Sequence, residues 1–327
     1  MCTAISYKTK DHYFGRNLDL EYSYNETVTI TPRNFIFNFR KAGKMENHFA
    51  IIGMAYVSGG YPLYYDATNE KGLSVAGLNF PEYADYKPYR EGKDNITPFE
   101  LIPWILGQCE TVAEAEKLLG RINLLNENFR EELPLTPLHW IVSDGDKSIT
   151  LEATKTDVKV YDNPVGVLTN NPVFDYHIFN LNNYIGLSCS DPENAFAGKN
   201  GNLDLKIYSR GMGALGLPGD ASSVSRFVRA AFLKANSVCG TSEKESVNQF
   251  FHILKSVEMQ RGCVKVDDEL YAATIYSSCC NSDRGIYYYS TYENSGICAV
   301  DMRKENLQSD TLISYALKKE PTIEFQN

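Results

Sequence analysis

The sequence lacks the features that would assign it to a membrane, to nucleic acid or to a metal. No apolar run approaches the ~18 residues that cross a bilayer. The net charge of -9 does not supply the basic surface that nucleic-acid phosphates require. There is no Cys-x-x-Cys pair and no cluster of Cys and His at the spacing of metal ligands. We therefore expect no membrane or nucleic-acid partner, no metal and no cofactor.

A secretion signal is missing as well. The chain begins Met-Cys-Thr-Ala, without the basic and apolar segments of a signal peptide. We therefore expect a cytoplasmic location. The eight cysteines are then expected to be free thiols, because the cytoplasm is reducing.

Composition and pattern predict one folded domain over residues 1–327. The hydrophobic fraction is 43% and the charged fraction is 22%, both typical of globular proteins. Alternation and apolar runs predict strands at 3–8, 13–16, 27–31, 49–56, 72–79, 138–144, 148–153, 158–161, 165–169, 273–278, 285–291 and 297–302. Helical spacing predicts helices at 99–109, 112–119 with Thr111 as N-cap, 174–187, 222–236 and 244–259. This order favours an α+β fold with antiparallel sheets.

Cys2 is the first candidate for catalysis. Initiator Met is normally removed when the next residue is small, and the mature chain would then carry a thiol and a free α-amine on one residue. The thiolate is a nucleophile, and an α-amine titrates near ~7.7–8.0, so the amine can act as the base. An ordinary cysteine near an ordinary N-terminus is the alternative.

Charged and amide side chains elsewhere are candidates for the same site. If residues 3–8 pair with the strand containing Arg16, the hairpin brings Arg16 and Asp19 beside the N-terminus, where they can stabilise the thiolate and orient the amine. Asn79 and Asn170 end apolar strands and can donate to an oxyanion, although Asn at a strand end is often a turn residue. Arg226 begins an apolar helix, and its alternative role is helix capping or surface charge.

Histidine, the usual base for a cysteine nucleophile, is not evident here. None of the five histidines lies in a papain-like signature, and no cysteine lies in a caspase-like one. We interpret His139 and His177 as hydrogen-bonded structural residues. A cysteine enzyme without a histidine base fits a mechanism that uses the α-amine.

Several segments together resemble the choloylglycine hydrolase family, which comprises bile salt hydrolases and penicillin V acylases. The segments are Met1-Cys2-Thr3, 14–19, 69–73, 76–81, 168–172, and 216–220 followed by Ser225-Arg226-Phe227. Each segment is moderately specific, but their order and spacing cover essentially the whole chain. The combination is therefore highly specific.

The resemblance implies a four-layer αββα fold of the N-terminal nucleophile type, with two packed antiparallel sheets. It implies Cys2 as nucleophile and base, with Arg16, Asp19, Asn79, Asn170 and Arg226 around it. Asn170 and the backbone amide of Asn79 would then form the oxyanion hole. The family is typically homotetrameric, and the long Gly- and Asn-rich segment 188–220 resembles its protruding assembly arm.

The resemblance also implies the substrate. Asn79 favours a bile salt hydrolase, because penicillin V acylases of the family tend to carry Tyr there. Conjugated bile acids, the glycine and taurine amides, are thus the expected substrates. A steroid needs an apolar pocket, and the candidate lining residues are Leu18, Tyr24, Tyr65, Leu133 and Leu135. Simple packing is the alternative role of the two loop leucines.

Arg210 is the candidate for recognising the amine half of the substrate. Some bile salt hydrolases with a similar Ser-Arg-Gly segment tend to prefer taurine conjugates, and a guanidinium suits a sulfonate. A solvated arm residue is the alternative. For the whole chain, a penicillin V acylase or other N-acyl amidase remains the first alternative, and a non-catalytic binding protein is a more remote one.

Overall fold

The computed structural model of the chain describes residues 1–196, 203–321 and 323–327. The strands are β1 (Cys2–Lys8), β2 (His12–Leu20), β3 (Thr27–Thr31), β4 (Phe37–Phe39), β5 (Gly43–Met45), β6 (Ile51–Ser58), β7 (Tyr61–Asn69), β8 (Ser74–Asn79), β9 (Asp94–Ile96), β10 (Ile122–Leu124), β11 (Leu138–Ser143), β12 (Ser148–Ala153), β13 (Val158–Asp162), β14 (Val167–Leu168), β15 (Val264–Lys265), β16 (Tyr271–Asn281), β17 (Ile286–Thr291), β18 (Cys298–Asp301) and β19 (Ile313–Ala316). The helices are α1 (Leu101–Leu106), α2 (Val112–Leu119), α3 (Phe174–Asn180), α4 (Ser223–Asn236) and α5 (Glu243–Lys255).

The strands form two large antiparallel sheets that pack face to face between helices. The first sheet has the order β14-β1-β2-β16-β17-β18, with β15 attached to β16. The second has the order β13-β12-β11-β8-β7-β6-β3-β19. Helices α4 and α5 cover the first sheet, and α1 and α2 cover the second. The four-layer αββα arrangement and the α+β class predicted above are confirmed.

The β1–β2 hairpin lies in the middle of the first sheet and carries the N-terminus. Its register runs from Lys8 opposite His12 to Cys2 opposite Leu18. A Cβ on Gly15 would lie 2.0 Å from the Ser278 carbonyl oxygen of β16, so only glycine allows β2 and β16 to approach this closely. Cys2 and the next five residues are buried, because β1 has helices on one face and the second sheet on the other.

Several element bounds differ from the sequence-based predictions. The helix predicted at 99–109 is limited to Leu101–Leu106, since the carboxylate of Glu100 accepts a hydrogen bond from the backbone of Thr97 (3.0 Å) in a turn before it. The helix predicted at 174–187 is α-helical only over Phe174–Asn180 and continues as a 3-10 turn at Leu181–Tyr184. By contrast, Thr111 caps α2 as predicted, through a hydrogen bond from Glu114 N.

One long central strand, β7, was not predicted from the sequence. Its sequence YPLYYDATN contains a proline near the start and an aspartate in the middle, which interrupts the apolar pattern of a buried strand. The aspartate, Asp66, is nevertheless buried between the sheets. The short strands β4, β5, β9, β10, β15 and β19 were not predicted either.

The described part of the segment predicted to form an assembly arm, 188–220, has little regular structure. Residues 197–202 of that prediction lie outside the described residues. The described part contains a 3-10 turn at Met212–Ala214, and Ser188 N donates to the Gly213 carbonyl (2.9 Å). Large apolar side chains in and beside this segment are exposed, among them Ile185, Phe196 and Tyr208. Across the described ranges, no helix is long and apolar enough to span a membrane.

Candidate active site

Cys2 lies at the start of β1 and is only 2% exposed. Residues opposite each other in an antiparallel pair share a face, so the side chains of Cys2, Leu18 and Arg16 point to the same side of the first sheet. That side faces the second sheet, because the Arg16 guanidinium reaches backbone carbonyls of β7 and β8. The thiol therefore lies in the layer between the two sheets.

The backbone nitrogen of Cys2 faces the Asn170 side chain. Cys2 N donates to Asn170 Oδ1 at 2.7 Å. In the chain with Met1 present, this nitrogen is a peptide amide, whose lone pair is delocalised, and it stands where the α-amine of a chain lacking Met1 would lie. Met1 itself pairs with Asp19: its ammonium group donates to the Asp19 carbonyl (2.6 Å), and Asp19 N donates to the Met1 carbonyl (2.9 Å).

The Asn170 amide is oriented by its partners. Oδ1 accepts from Cys2 N and from Arg226 Nη2 (2.8 Å). Because both partners are donors, this end of the amide must be the oxygen and not the nitrogen. Nδ2 donates to the Asn79 carbonyl at 2.7 Å, which joins the end of β14 to the end of β8. An amide nitrogen has two N–H groups, and within the described residues only one of those on Asn170 is used. The second is available to a developing oxyanion.

Arg226 approaches Cys2 from the helical side. It lies in the first turn of α4, whose N-cap Ser222 accepts from Ser225 N. Nη1 donates to the Cys2 carbonyl and to Thr3 Oγ1 (2.7 Å), and Nε donates to the Ala221 carbonyl (2.9 Å). Burial lowers the pKa of Arg226, although Asp19, Cys2 and Asp220 oppose the shift. The guanidinium fixes the position of the first residue of β1.

Asp19 supplies a carboxylate beside the N-terminus. A β-bulge in β16 places Thr274 opposite it, and Thr274 Oγ1 donates to Asp19 Oδ1 at 2.6 Å. Asp19 Oδ2 is buried and has no hydrogen-bond partner among the described residues. Burial raises the pKa of Asp19, while Arg226, the terminal ammonium group, Thr274 and Arg16 act in the opposite direction. Asp19 Oδ2 can therefore accept a further hydrogen bond.

Arg16 is the cation on the inter-sheet side of Cys2. Nη1 donates to the Tyr65 carbonyl (3.1 Å) and to the Gly77 carbonyl, whereas Nη2 is buried without a partner in the described ranges. Burial opposes the charge on Arg16, but Cys2, Tyr276, Asp66 and Asp19 outweigh it and raise the pKa of Arg16 above its ordinary value. Cys2 is the strongest of these favourable partners.

The two histidines interpreted above as structural hold the residues around Asn170. His139 Nε2 donates to the Thr169 carbonyl (2.9 Å), and its Nδ1 lies 3.1 Å from Glu152 Oε1. His177 Nε2 donates to the Asn170 carbonyl at 2.9 Å. Neither histidine has a described hydrogen bond to Cys2.

The proposed substrate-binding residues fall into three groups. Leu18 is buried opposite Cys2, and the half-buried Tyr65 lends its carbonyl to Arg16, so both adjoin the site. Tyr24 is 39% exposed, and its ring is tilted relative to that of Tyr56, with 6.3 Å between the two ring centroids. Leu133 and Leu135 are half-buried in the loop before β11; this loop adjoins Asn79, since Phe80 N donates to the Pro137 carbonyl (2.8 Å).

Arg210 is not brought to Cys2 by any described contact. Its side chain is exposed and makes no hydrogen bond or ion pair with the part of the chain that the structure describes. Two surface cavities, of about 470 and 630 Å³, also lie away from the thiol. Both are lined by Lys8 and Lys234 at the opposite end of β1.

Sequence reasoning missed three groups that contact the candidate residues. Thr3 accepts from Arg226, Thr274 donates to Asp19, and Ser223 Oγ accepts from Asn170 N at 2.8 Å. Thr3 lies within a motif that was recognised, so its hydroxyl could have been proposed. Thr274 had no signal, because its role depends on an irregularity in β16.

Four layers with a cysteine at the first strand position of an inner sheet define the N-terminal nucleophile hydrolase fold. A family model described as "Linear amide C-N hydrolases, choloylglycine hydrolase family" matches residues 2–315. The chain belongs to the choloylglycine hydrolase family, as its motifs predicted.

Relatives and solved structures agree with this assignment. A bile salt hydrolase/transferase of Lactiplantibacillus plantarum is 59% identical over 98% of both chains, and one of Clostridium perfringens is 41% identical over all of both. The crystal structure of the C2A mutant of the conjugated bile acid hydrolase from Clostridium perfringens is similar with a TM-score of 0.91 and 40% identity, covering both chains completely. A penicillin V acylase from Agrobacterium tumefaciens shares the fold, with a TM-score of 0.73 at 21% identity, covering 96% of this chain and 90% of that one.

Proposed function

We propose that this protein is a bile salt hydrolase, which cleaves the amide bond of glycine- and taurine-conjugated bile acids. One observation carries the proposal: full-length similarity, at 59% identity, to a bile salt hydrolase/transferase, combined with a Cys at position 2. Asn79 supports the bile salt hydrolase over the penicillin V acylase, which the family resemblance associates with Tyr at this position.

Removal of Met1 precedes catalysis, and it converts the Cys2 amide nitrogen into an α-amine. The amine remains within reach of Asn170 Oδ1, and the unfilled Asp19 Oδ2 is the acceptor that we assign to it. The Cys2 thiolate attacks the amide carbon of the substrate. The C–N bond then breaks as the α-ammonium group gives its proton to the leaving glycine or taurine nitrogen, which leaves a thioester.

The second half of the reaction regenerates the enzyme. The α-amine, now neutral, takes one proton from water as that water attacks the thioester; the C–S bond breaks to regenerate the thiolate, and the bile acid leaves and gives its remaining acidic proton to solvent. In both halves the negative oxygen is stabilised by Asn170 Nδ2 and by the backbone amide of Asn79. Removing one such donor typically costs about 10²–10³ in kcat.

Charge around the sulfur favours the thiolate. Arg16 lies on the inter-sheet side and Arg226 on the helical side, and both interact favourably with a charged Cys2. Asp19 lies beside the amine, so it stabilises an ammonium there.

The steroid binds in the apolar surroundings of the thiol. Leu18, Tyr24 and Tyr65 are proposed for one side of this pocket, and the loop with Leu133 and Leu135 for the other. Arg210 is proposed to bind the anionic end of the amine half. Since the side chain of this residue is exposed, it would act either by folding toward the site or across a subunit contact.

Assembly and location are part of the same proposal. The exposed apolar side chains near segment 188–220 are suited to subunit contacts, which supports a homotetramer. A cytoplasmic location is supported by the eight cysteines, all within the described ranges and all free.

The thioester offers a second activity. A free amine can replace water as the attacking group, which forms a new bile acid amide. Both relatives reported above are named hydrolase/transferase, which favours this activity for the present chain. Adding an excess of an amino acid to the reaction should then yield a new conjugate detectable by mass.

The test compares glycocholate, taurocholate and penicillin V as substrates for the purified protein. We expect both bile salts to be cleaved far faster than penicillin V, and the intact mass to be that of the chain without Met1. Cys2→Ala should be inactive and Cys2→Ser severely impaired, because a hydroxyl ionises far less readily. Full activity of Cys2→Ala or of protein that retains Met1 would refute the mechanism. Faster cleavage of penicillin V would favour the acylase.

A further inference from the structure

A buried carboxylate behind the thiol is not explained by the catalytic steps above. Asp66 lies in β7, is 1% exposed, and faces the first sheet across the inter-sheet layer. Three hydroxyl groups of that sheet donate to it: Tyr276 OH to Oδ1 at 2.6 Å, and Tyr287 OH (2.7 Å) and Ser278 Oγ (3.1 Å) to Oδ2. Burial raises the pKa of Asp66, whereas the charge of Arg16 and these three hydroxyl donors act in the opposite direction and favour the ionised form.

Asp66 is connected to Arg16 through one serine. Ser278 Oγ, which donates to Asp66, accepts from the backbone nitrogen of Arg16 at 3.1 Å. The guanidinium of Arg16 is also bound to the carbonyl of Tyr65, the residue before Asp66. No ion pair within 4 Å joins the two side chains in the described structure, so Asp66 influences Arg16 through the electrostatic field and through this framework.

Charged side chains of both signs surround the layer that contains Arg16 and Asp66. Arg16 and Arg226 are the cationic side chains of this region, and Asp19 and Asp66 are its carboxyl groups; burial raises the pKa of both carboxyl groups, and the guanidinium charges act in the opposite direction. The other titratable groups that face Asp66 are Tyr276, Tyr287 and Cys280. On its own sheet the neighbours across from Asp66 are the apolar Met54 and Ala76. Arg16 is thus the cation whose charge Asp66 offsets.

We propose that Asp66 is a positioning residue that partly neutralises Arg16 and thereby sets how readily the Cys2 thiol ionises. The proposal rests on the proposed function, in which Cys2 is the nucleophile. Without Asp66, Arg16 would stabilise the thiolate more strongly. A more stable thiolate forms at lower pH but attacks more slowly, since nucleophilicity falls with basicity. Asp66 therefore keeps the sulfur reactive near neutral pH.

Asp66→Asn removes the charge with little change in shape. We expect the midpoint of the pH dependence of Cys2 alkylation by iodoacetamide to fall by about one pH unit, the usual effect of a nearby charge. With a Brønsted slope of about 0.4–0.5, kcat/KM for glycocholate should fall about threefold above the midpoint. Well below the midpoint, kcat/KM should rise about threefold. There the fraction of thiolate increases about tenfold, and this gain outweighs the threefold loss in nucleophilicity. A purely structural role for Asp66 would lower activity at every pH.

Alkylation is followed on the N-terminal peptide by mass spectrometry, so that the other cysteines do not contribute. This readout uses no bile salt, and it remains informative even if deconjugation is not the activity. Asp11→Asn is the matched control, since Asp11 is paired with Arg284 at the opposite end of the β1–β2 hairpin. It should leave the Cys2 midpoint unchanged.

Tyr276→Phe and Tyr287→Phe provide a second test in case Asp66→Asn does not fold. Each removes one donor from the carboxylate and so favours its neutral form, which should move the Cys2 midpoint in the same direction by a smaller amount. A midpoint equal to that of the wild type in Asp66→Asn would overturn the proposal. If Asp66→Asn does not fold, unchanged midpoints in both tyrosine variants would do the same.

Discussion

His177 allows a direct test of how burial controls charge next to the candidate oxyanion site. It lies in α3, fully buried, with Nε2 bound to the Asn170 carbonyl and its ring stacked on Phe227 at 4.7 Å. Nδ1 has no hydrogen-bond partner in the described residues. Burial lowers the pKa of His177 from 6.5 to about 4. The folded protein therefore holds this histidine neutral at pH values where the unfolded chain protonates it.

The sign and size of the effect follow from linkage. Between pH 6.5 and 4 the unfolded state binds more protons than the folded state, so the free energy of unfolding falls as the pH is lowered through this window. A fall of the His177 pKa from 6.5 to about 4 corresponds to about 3 kcal/mol, since each tenfold change in a proton-binding constant is worth about 1.36 kcal/mol. Burial also lowers the pKa of His12 to about 4, which adds a loss of similar order in the same window. Together these are large relative to the usual 5–15 kcal/mol of total stability.

Urea unfolding at pH 7, 5.5 and 4 measures this loss in the wild type and in His177→Gln, which retains a donor near the Nε2 position. We expect the wild type to lose about 3 kcal/mol more than His177→Gln between pH 7 and 4. His252→Gln is the control, because His252 is exposed on α5 and should not alter the pH dependence. Parallel pH dependences for the wild type and His177→Gln would mean that His177 does not resist protonation in the fold, and the reasoning would be wrong.

Three further outcomes are expected. Asn170→Ala should lower kcat by at least about 10²-fold with a smaller change in KM, since Asn170 is the proposed oxyanion donor; a loss under tenfold would remove it from that role. Cys2 should be the cysteine whose oxidation accompanies loss of activity in aerated buffer, with recovery by reductant as long as oxidation stops at sulfenic acid or disulfide. Peptide mapping that finds Cys2 unmodified in inactivated protein would contradict this. Taurocholate should be cleaved at least as efficiently as glycocholate, and Arg210→Gly should shift the kcat/KM ratio toward glycine; an unchanged ratio would exclude Arg210 without affecting the Cys2 mechanism.

The sequence predicted the parts of the site that depend on local pattern. The β1–β2 hairpin follows from two strand-like segments around a short polar turn, and its register brings Arg16 and Asp19 to the N-terminal end. Asn79 and Asn170 were recognised as polar residues at the ends of apolar strands. The structure joins them through one hydrogen bond. The catalytic roles of these residues remain predictions.

What the sequence did not predict depends on contacts between distant segments. Strand β7 was missed because Asp66 and Pro62 break its apolar pattern, and burial of Asp66 is tolerated only because β16 and β17 supply three hydroxyl donors. Thr274 was missed because a β-bulge, and not residue spacing, places it against Asp19. In both cases a local rule fails where a buried carboxylate lies near the nucleophile.

The candidate site draws its parts from both sheets, which has a consequence for refolding. Cys2 lies in the first sheet and Asn170 two residues beyond strand β14 of that sheet, 168 residues apart in sequence, while Asn79 ends strand β8 of the second sheet, 91 residues from Asn170. The hydrogen bond between Asn170 and Asn79 forms only when the two sheets are packed together, because each sheet supplies one of the two partners. A chain in which each sheet has formed separately would have native far-UV circular dichroism but no enzymatic activity. Recovery of activity after dilution from denaturant should therefore lag behind recovery of secondary structure, and it reports the moment at which the two sheets dock.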